Sequence, residues 1–183
     1  MVEDWEVLER RLVFRHRRWV SLYEEDVRLP DGTVVEGYLT AEAPSGTMVV
    51  GLTDEEEVVV LRGYRHGPRA VTYSLPGGGL DDGEDPLVGA RRELLEETGF
   101  AGGEWTLLGE FTHSANRGMG TAHLYLARGV RRVARPESGD LEATEVELRP
   151  LDALLAEVFA GNVHVFKEAG ALALAAVALR AGG

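Results

Sequence analysis

The stretch that decides the reading is Gly78–Phe100, GGLDDGEDPLVGARRELLEETGF. With Pro76 and Gly77 before it, its first part is a glycine-rich loop running to Gly83. Its second part carries helix signals. Asp85 can cap, Pro86 suits the first helical position, and Gly99 suits the stop. On a helix turning about 100° per residue, Leu87, Ala90 and Leu94 form a stripe fit for burial. Glu93, Glu96 and Glu97 fall on another side, within roughly 100° of one another. Three carboxylates crowded in this way repel. A hard divalent cation with oxygen ligands relieves the repulsion. Arg92 stands one helical turn before Glu96, placed to hold one carboxylate. An acidic run on a helix is ordinarily a solvated face. The glycine-rich loop directly before this one, together with the spacing described below, favours a metal site.

Outward from this segment the chain alternates strand and turn signals. Residues 12–40 read as strands, with Pro30-Asp31-Gly32 as a turn between Val27–Leu29 and Thr33–Leu39. This is an N-terminal antiparallel hairpin or meander. Pro44-Ser45-Gly46 breaks the pattern. The expected division is therefore residues 1–43 as a β extension and 44–183 as the main domain. Thr47–Leu52, Val58–Arg62 and Val71–Leu75 read as strands before the loop. Trp105–Thr112, Ala122–Ala127 and Glu145–Arg149 read as strands after the helix. Leu151–Phe159 and Val165–Arg180 read as helices. The fold class is α+β, with strands on both sides of a central helix.

Composition narrows the function. The chain has 183 residues, enough for one ordinary domain with a small extension. Hydrophobic residues make up 44%, so a sizeable core is available. The formal net charge is −12, which argues against a nucleic-acid partner. There is no cysteine, which excludes a disulfide scaffold, thiolate metal sites and thiol catalysis. No signal peptide is visible in MVEDWEVLERR. The longest apolar stretch, Ala169–Ala178, is too short to span a bilayer. A cytoplasmic protein with no membrane partner is expected.

At fixed spacing the segment reads Gly78, five residues, Glu84, seven residues, Arg92-Glu93, apolar Leu94, one residue, Glu96-Glu97, one residue, Gly99, apolar Phe100. At every one of these places it resembles the signature of the Nudix hydrolase family. The resemblance implies an α/β/α sandwich around a mixed β-sheet, and Mg²⁺ (or Mn²⁺) as cofactor. It implies Glu93 and Glu97 as principal metal ligands, with Glu96 beside them binding metal or polarising water. The backbone carbonyl of Gly77 is a further candidate ligand. Gly78, Glu84 and Arg92 would support loop and helix.

The flanks resemble one branch of that family, the ADP-ribose and nucleoside-diphosphate-sugar pyrophosphatases. Leu61-Arg62-Gly63-Tyr64-Arg65-His66 looks like that branch's strand ending in Tyr-Arg. The likeness makes Arg65 a contact to the substrate diphosphate, which suits a guanidinium fork. A surface salt bridge is its alternative. The branch implies a homodimer through the N-terminal strands and an aromatic residue from that region stacked on the base. Trp19 is the candidate for that stacking, or else a packing residue of the hairpin. The proline that ADP-ribose pyrophosphatases carry after the signature is absent. Ala115–Gly120 instead looks like an Asn-Arg-Gly loop of some nucleoside-diphosphate-sugar members, where Arg117 would touch phosphate or sugar, or shape the loop.

The acidic stretch Glu137–Glu145 matches a loop that supplies a base or further metal ligand in the resembling branch. Glu142 is the choice there, then Asp140 and Glu145, against a plain solvated loop. Structural roles are expected for His113, His123 and His164. The implied reaction is Mg²⁺-dependent hydrolysis of a nucleoside diphosphate linkage, with Glu96, Glu97 and Glu142 as catalytic residues. Other nucleotide substrates (a triphosphate, dinucleoside polyphosphate, NADH or coenzyme A) keep the same chemistry. A non-catalytic nucleotide-binding module is the rival. Such modules usually lose signature carboxylates, and this chain keeps them all.

Overall fold

A computed structural model describes residues 3–137, 139 and 143–181. The chain forms two compact units: residues 1–45 with 111–122, and residues 46–110 with 123–183.

The first unit is an antiparallel meander of β1 (Glu6–His16), β2 (Val20–Arg28) and β3 (Val34–Glu42). The β2–β3 turn closes at Pro30–Gly32. The N–H of Leu29 donates to the Thr33 carbonyl at 2.8 Å, and Asp31 Oδ1 accepts from the N–H of Thr33 at 2.9 Å. Strand β1 begins at Glu6, earlier than the residue-12 start expected from the sequence. Its apolar residues Val7, Leu8, Leu12, Val13 and Phe14 do not alternate with polar ones, and all are exposed. A period of two signals a strand only when one face is buried. Here cross-strand pairs hold the strand instead. Arg11 grips Asp26 with two bonds of 2.9 and 2.8 Å, and Arg10 Nε lies 2.9 Å from Glu25. The tips of two long strands, β7 (Phe100–Ser114) and β8 (Gly118–Arg132), complete this unit. β3 meets β8 in a parallel bridge between Ala41 and Gly118.

The second unit holds β4 (Gly46–Leu52), β5 (Glu57–Arg65), β6 (Ala70–Ser74), β9 (Thr144–Pro150) and the rest of β7 and β8. It also holds α1 (Pro86–Thr98), α2 (Leu151–Phe159) and α3 (Phe166–Ala181). β5 is central. It pairs antiparallel with β4 and β6 toward its two ends, and with β9 over Glu57–Gly63. One core cluster joins Val50, Leu52, Val58 and Val60 to Leu154 of α2 and Leu172 of α3. The other joins Val49, Val59, Tyr125 and Val130 to Ala90 and Leu94 of α1. Alternate residues of β4 and β5 thus feed two different cores, as a pleated strand covered on both faces requires. The result is a sheet between helices.

β4 and β5 pair at Gly51–Val59 and Leu52–Val58. Farther back along β4, the N–H groups of Val49 and Thr47 donate to the carbonyls of Pro76 and Gly78, each at 2.9 Å. The glycine-rich loop is therefore hydrogen-bonded to β4 just before α1 begins. α1 itself is capped as its sequence directs. Asp85 Oδ1 accepts from Leu87 and Val88 N–H at 2.9 and 3.1 Å, Pro86 opens the helix, and Gly99 donates to the Leu95 carbonyl at 2.8 Å.

Candidate active site

Two glycines bring the loop against α1. The N–H of Gly77 donates to Glu97 Oε2 at 2.8 Å. A Cβ on Gly77 would lie 2.2 Å from the Thr47 carbonyl oxygen, so the loop reaches β4 only through glycine there. A Cβ on Gly78 would lie 2.5 Å from Glu93 Oε1. Glu93 and Glu97, one turn apart, thus press against consecutive loop residues.

Arg92 organises the rest. Its Nε and Nη2 hold Glu84 Oε1 and Oε2, both at 3.0 Å, in a two-pronged pair. Its Nη1 donates to Glu93 Oε1 at 2.7 Å and to Glu96 Oε2 at 3.2 Å, and Nη2 reaches the Gly79 carbonyl at 3.3 Å. Glu84 also accepts from the N–H of Asp81 at 3.0 Å. The Arg92 guanidinium, and then that N–H, hold the Glu84 carboxyl down at about 2, from 4.5. The same carboxylates push the Arg92 pKa upward, Glu84 most.

Among the described residues, no three acidic or imidazole side chains converge tightly enough to cage a metal ion. The donors on hand are hard oxygens from Glu93, Glu97 and Glu96. Glu96 is 46% exposed, and Glu93 and Glu97 are partly buried. The donor set therefore fits a hard divalent cation.

The structure brings Gly77, Gly78, Glu84, Arg92, Glu93, Glu96 and Glu97 together. Arg65, at the end of β5 in the same unit, donates from Nη2 to Ser74 Oγ at 2.8 Å. Ser74 was not singled out by sequence reasoning. Its signal is its register place opposite Leu61 on the neighbouring strand. Trp19 and Arg117 belong to the other unit. Trp19 is 57% exposed in the β1–β2 turn, with Arg18 5.1 Å above its ring. Arg117 Nη1 donates to the Leu39 carbonyl at 2.6 Å, and its guanidinium lies 5.1 Å from the Tyr38 ring. Both contacts shape its loop. Glu142 and Asp140 fall outside the described residues. His123 Nδ1 lies 3.2 Å from Glu110, and the His164 N–H donates to Thr72 Oγ1.

Residues 42–168 match the Nudix domain, and residues 5–38 match the nucleoside diphosphate sugar hydrolase N-terminal domain. The chain belongs to the Nudix family. It is 32% identical over 140 residues to the CMP-5'-(N-acetyl-N-hydroxy-3-aminopropyl)phosphonate hydrolase of Streptomyces rubellomurinus, covering 76% of this chain and 67% of that protein. It is 34% identical over 115 residues to the methanol dehydrogenase activator of Bacillus methanolicus, covering 63% and 62%. It is 32% identical over 108 residues to the ADP-ribose pyrophosphatase of Bacillus subtilis, covering 59% and 58%. The chain thus spans about three fifths of the length of the last two relatives. A crystal structure of an ADP compounds hydrolase shares the fold, with a TM-score of 0.82, 20% identity and coverage of 100% and 98%.

Proposed function

We propose that the chain is a Mg²⁺-dependent pyrophosphatase (Mn²⁺ substituting) that hydrolyses ADP-ribose or another nucleoside diphosphate sugar. The observation that carries this reading is the pair of glycines, Gly77 and Gly78, packed against Glu97 and Glu93. It leaves a carboxylate face beside backbone that a phosphate can approach. The relatives named for ADP-ribose and CMP-phosphonate hydrolysis support a nucleotide substrate.

In the reaction, water attacks one phosphorus of the diphosphate and the bridging P–O bond breaks. The products are a nucleoside monophosphate and a sugar phosphate. Glu93, Glu97 and Glu96, with the Gly77 carbonyl, would hold the cation, which supplies positive charge against the nonbridging oxygens and acidifies the attacking water. Arg65 orients the diphosphate through its guanidinium fork. Glu96, Glu97 or Glu142 accepts the proton of the attacking water. Arg92 and Glu84 keep the helix carboxylates and the loop in register. Trp19 stacks on the base and Arg117 contacts the sugar or phosphate.

Residues 1–43 serve dimerisation and base contact, and residues 44–183 carry the chemistry. A homodimer through the N-terminal strands is supported by β1, where Val7, Leu8, Leu12, Val13 and Phe14 are all exposed. So much apolar surface on one strand marks an interaction face.

The test is a panel of ADP-ribose, ADP-glucose, GDP-mannose and NADH, with and without Mg²⁺, read by phosphatase-coupled release of phosphate. ADP-ribose or a nucleoside diphosphate sugar is expected to turn over only with the metal. Binding of the panel without any turnover would instead identify a non-catalytic module.

A further inference from the structure

Thr47 stands directly opposite Gly78 where β4 meets the glycine-rich loop. The two segments run antiparallel. Gly46 bridges to Gly79, and the N–H groups of Thr47 and Val49 donate to the carbonyls of Gly78 and Pro76, each at 2.9 Å. Residues opposed in such a pair project to the same face, with Cβ atoms roughly 5 Å apart. That face is the one α1 covers. Val49, two residues along β4, packs with Ala90 and Leu94 of α1, and side chains two apart on a strand share a face. On this face the carboxyl group of Glu93 occupies the place of a Gly78 side chain, its atoms 2.5 to 2.8 Å from where the Cβ would be. The Thr47 side chain and the Glu93 carboxylate are therefore neighbours across one vacant side-chain position.

Thr47 is 6% exposed, and its Oγ1 is buried with no hydrogen-bond partner among the described residues. Buried hydroxyls are normally bonded, and an orphan costs stability. Valine would fill the same place in a strand without that cost. Packing thus gives no reason for a hydroxyl here, and a carboxylate beside it does. Arg92 Nη1 already donates to Glu93 Oε1 from the helix at 2.7 Å, and Thr47 offers a second donor from the sheet.

We propose that Thr47 is a positioning residue for Glu93: its hydroxyl donates to the carboxylate from the sheet side and fixes it for a divalent cation. A rotation at the flexible end of Glu93 makes the bond. Partners that hydrogen-bond a metal-binding carboxylate set its orientation, and losing one commonly costs about 10- to 100-fold in metal affinity. The proposal rests on Glu93 being a cation ligand.

The test is Mn²⁺ binding to the full chain without substrate, read from the electron paramagnetic resonance signal of the free ion. Thr47→Val and Thr47→Ala remove the hydroxyl, and Thr47→Ser keeps it. Both hydroxyl-free variants are expected to weaken Mn²⁺ binding about tenfold, and Thr47→Ser to stay within about threefold of the unsubstituted protein. The melting temperature of Thr47→Val without metal should hold or rise, because an orphaned polar atom leaves the interior. In a Glu93→Ala background, Thr47→Val should cost less than about twofold, since the two side chains act as one unit. Unchanged affinity in both hydroxyl-free variants, a Thr47→Ser as weak as either, or a Thr47→Val loss that persists undiminished beside Glu93→Ala overturns the proposal and leaves Glu93 as a ligand. Affinity unchanged by Glu93→Ala alone overturns the metal assignment and this proposal together.

Discussion

The carboxylate of Glu93 occupies the space where a side chain on Gly78 would begin: a Cβ there would lie 2.5 Å from Oε1. The atom in the way is the far end of a flexible side chain, so Gly78→Ala need not unfold the protein. It must displace the carboxylate. We expect a near-normal melting temperature and turnover reduced by about 10²-fold, the usual cost of a misplacement of about 1 Å at a reacting centre. Gly77→Ala differs, because its Cβ would meet the Thr47 carbonyl oxygen at 2.2 Å. That variant should lose stability as well. Paired thermal melts and turnover assays separate the two, and equal behaviour of both variants would contradict the geometry.

Glu97→Gln should lose most turnover while the protein stays folded. The amide oxygen of glutamine can still accept from the Gly77 N–H, so the loop keeps its anchor. What disappears is the negative charge. A variant that retains near-normal rate in saturating Mg²⁺ would sink the assignment of Glu97 to the metal.

The Glu84–Arg92 pair predicts an acid limb in stability. The carboxyl of Glu84 sits at about 2 when folded, against an ordinary 4.5. A depressed folded value stabilises fully above the unfolded one and fades as pH falls from about 4.5 toward 2. Melting temperature should therefore fall across that window, and fall less steeply in Glu84→Gln. Asp26 is also held at about 2, by Arg11 and the Gly37 N–H, so only the difference between parent and variant isolates Glu84. Identical acid slopes in the two proteins would remove the pair from the account.

On β1, Leu12 and Phe14 are each about half exposed. If this strand is covered by a second copy, Leu12→Glu and Phe14→Glu should shift the protein from dimer to monomer in sedimentation velocity. Their burial of charge against apolar surface would oppose association. A parent chain that is already monomeric at the same concentration would rule the interface out.

The sequence made the second unit readable because its signals are local. Asp85, Pro86 and Gly99 mark the ends of α1 without help from any distant residue. Leu87, Ala90 and Leu94 mark its buried side, and the spacing of Glu93, Glu96 and Glu97 carries the family. β1 was harder. Its stability comes from cross-strand pairs such as Arg11 with Asp26, which no periodicity announces. Ser74 was not legible either, because its place opposite Leu61 comes from strand register, a property of the folded chain.

Gly77, Gly78, Glu84, Arg92, Glu93 and Glu97 bond or press against one another within a single contiguous run. Such a cassette can be inherited whole, while segments elsewhere drift under selection for a different leaving group. The relatives of this chain bear names as unlike as a pyrophosphatase, a phosphonate hydrolase and a dehydrogenase activator, which such a separation would produce. Under the proposed function, the reacting groups lie in this run while Arg65, Trp19 and Arg117 lie outside it, so reactivity and choice of substrate would be free to evolve apart.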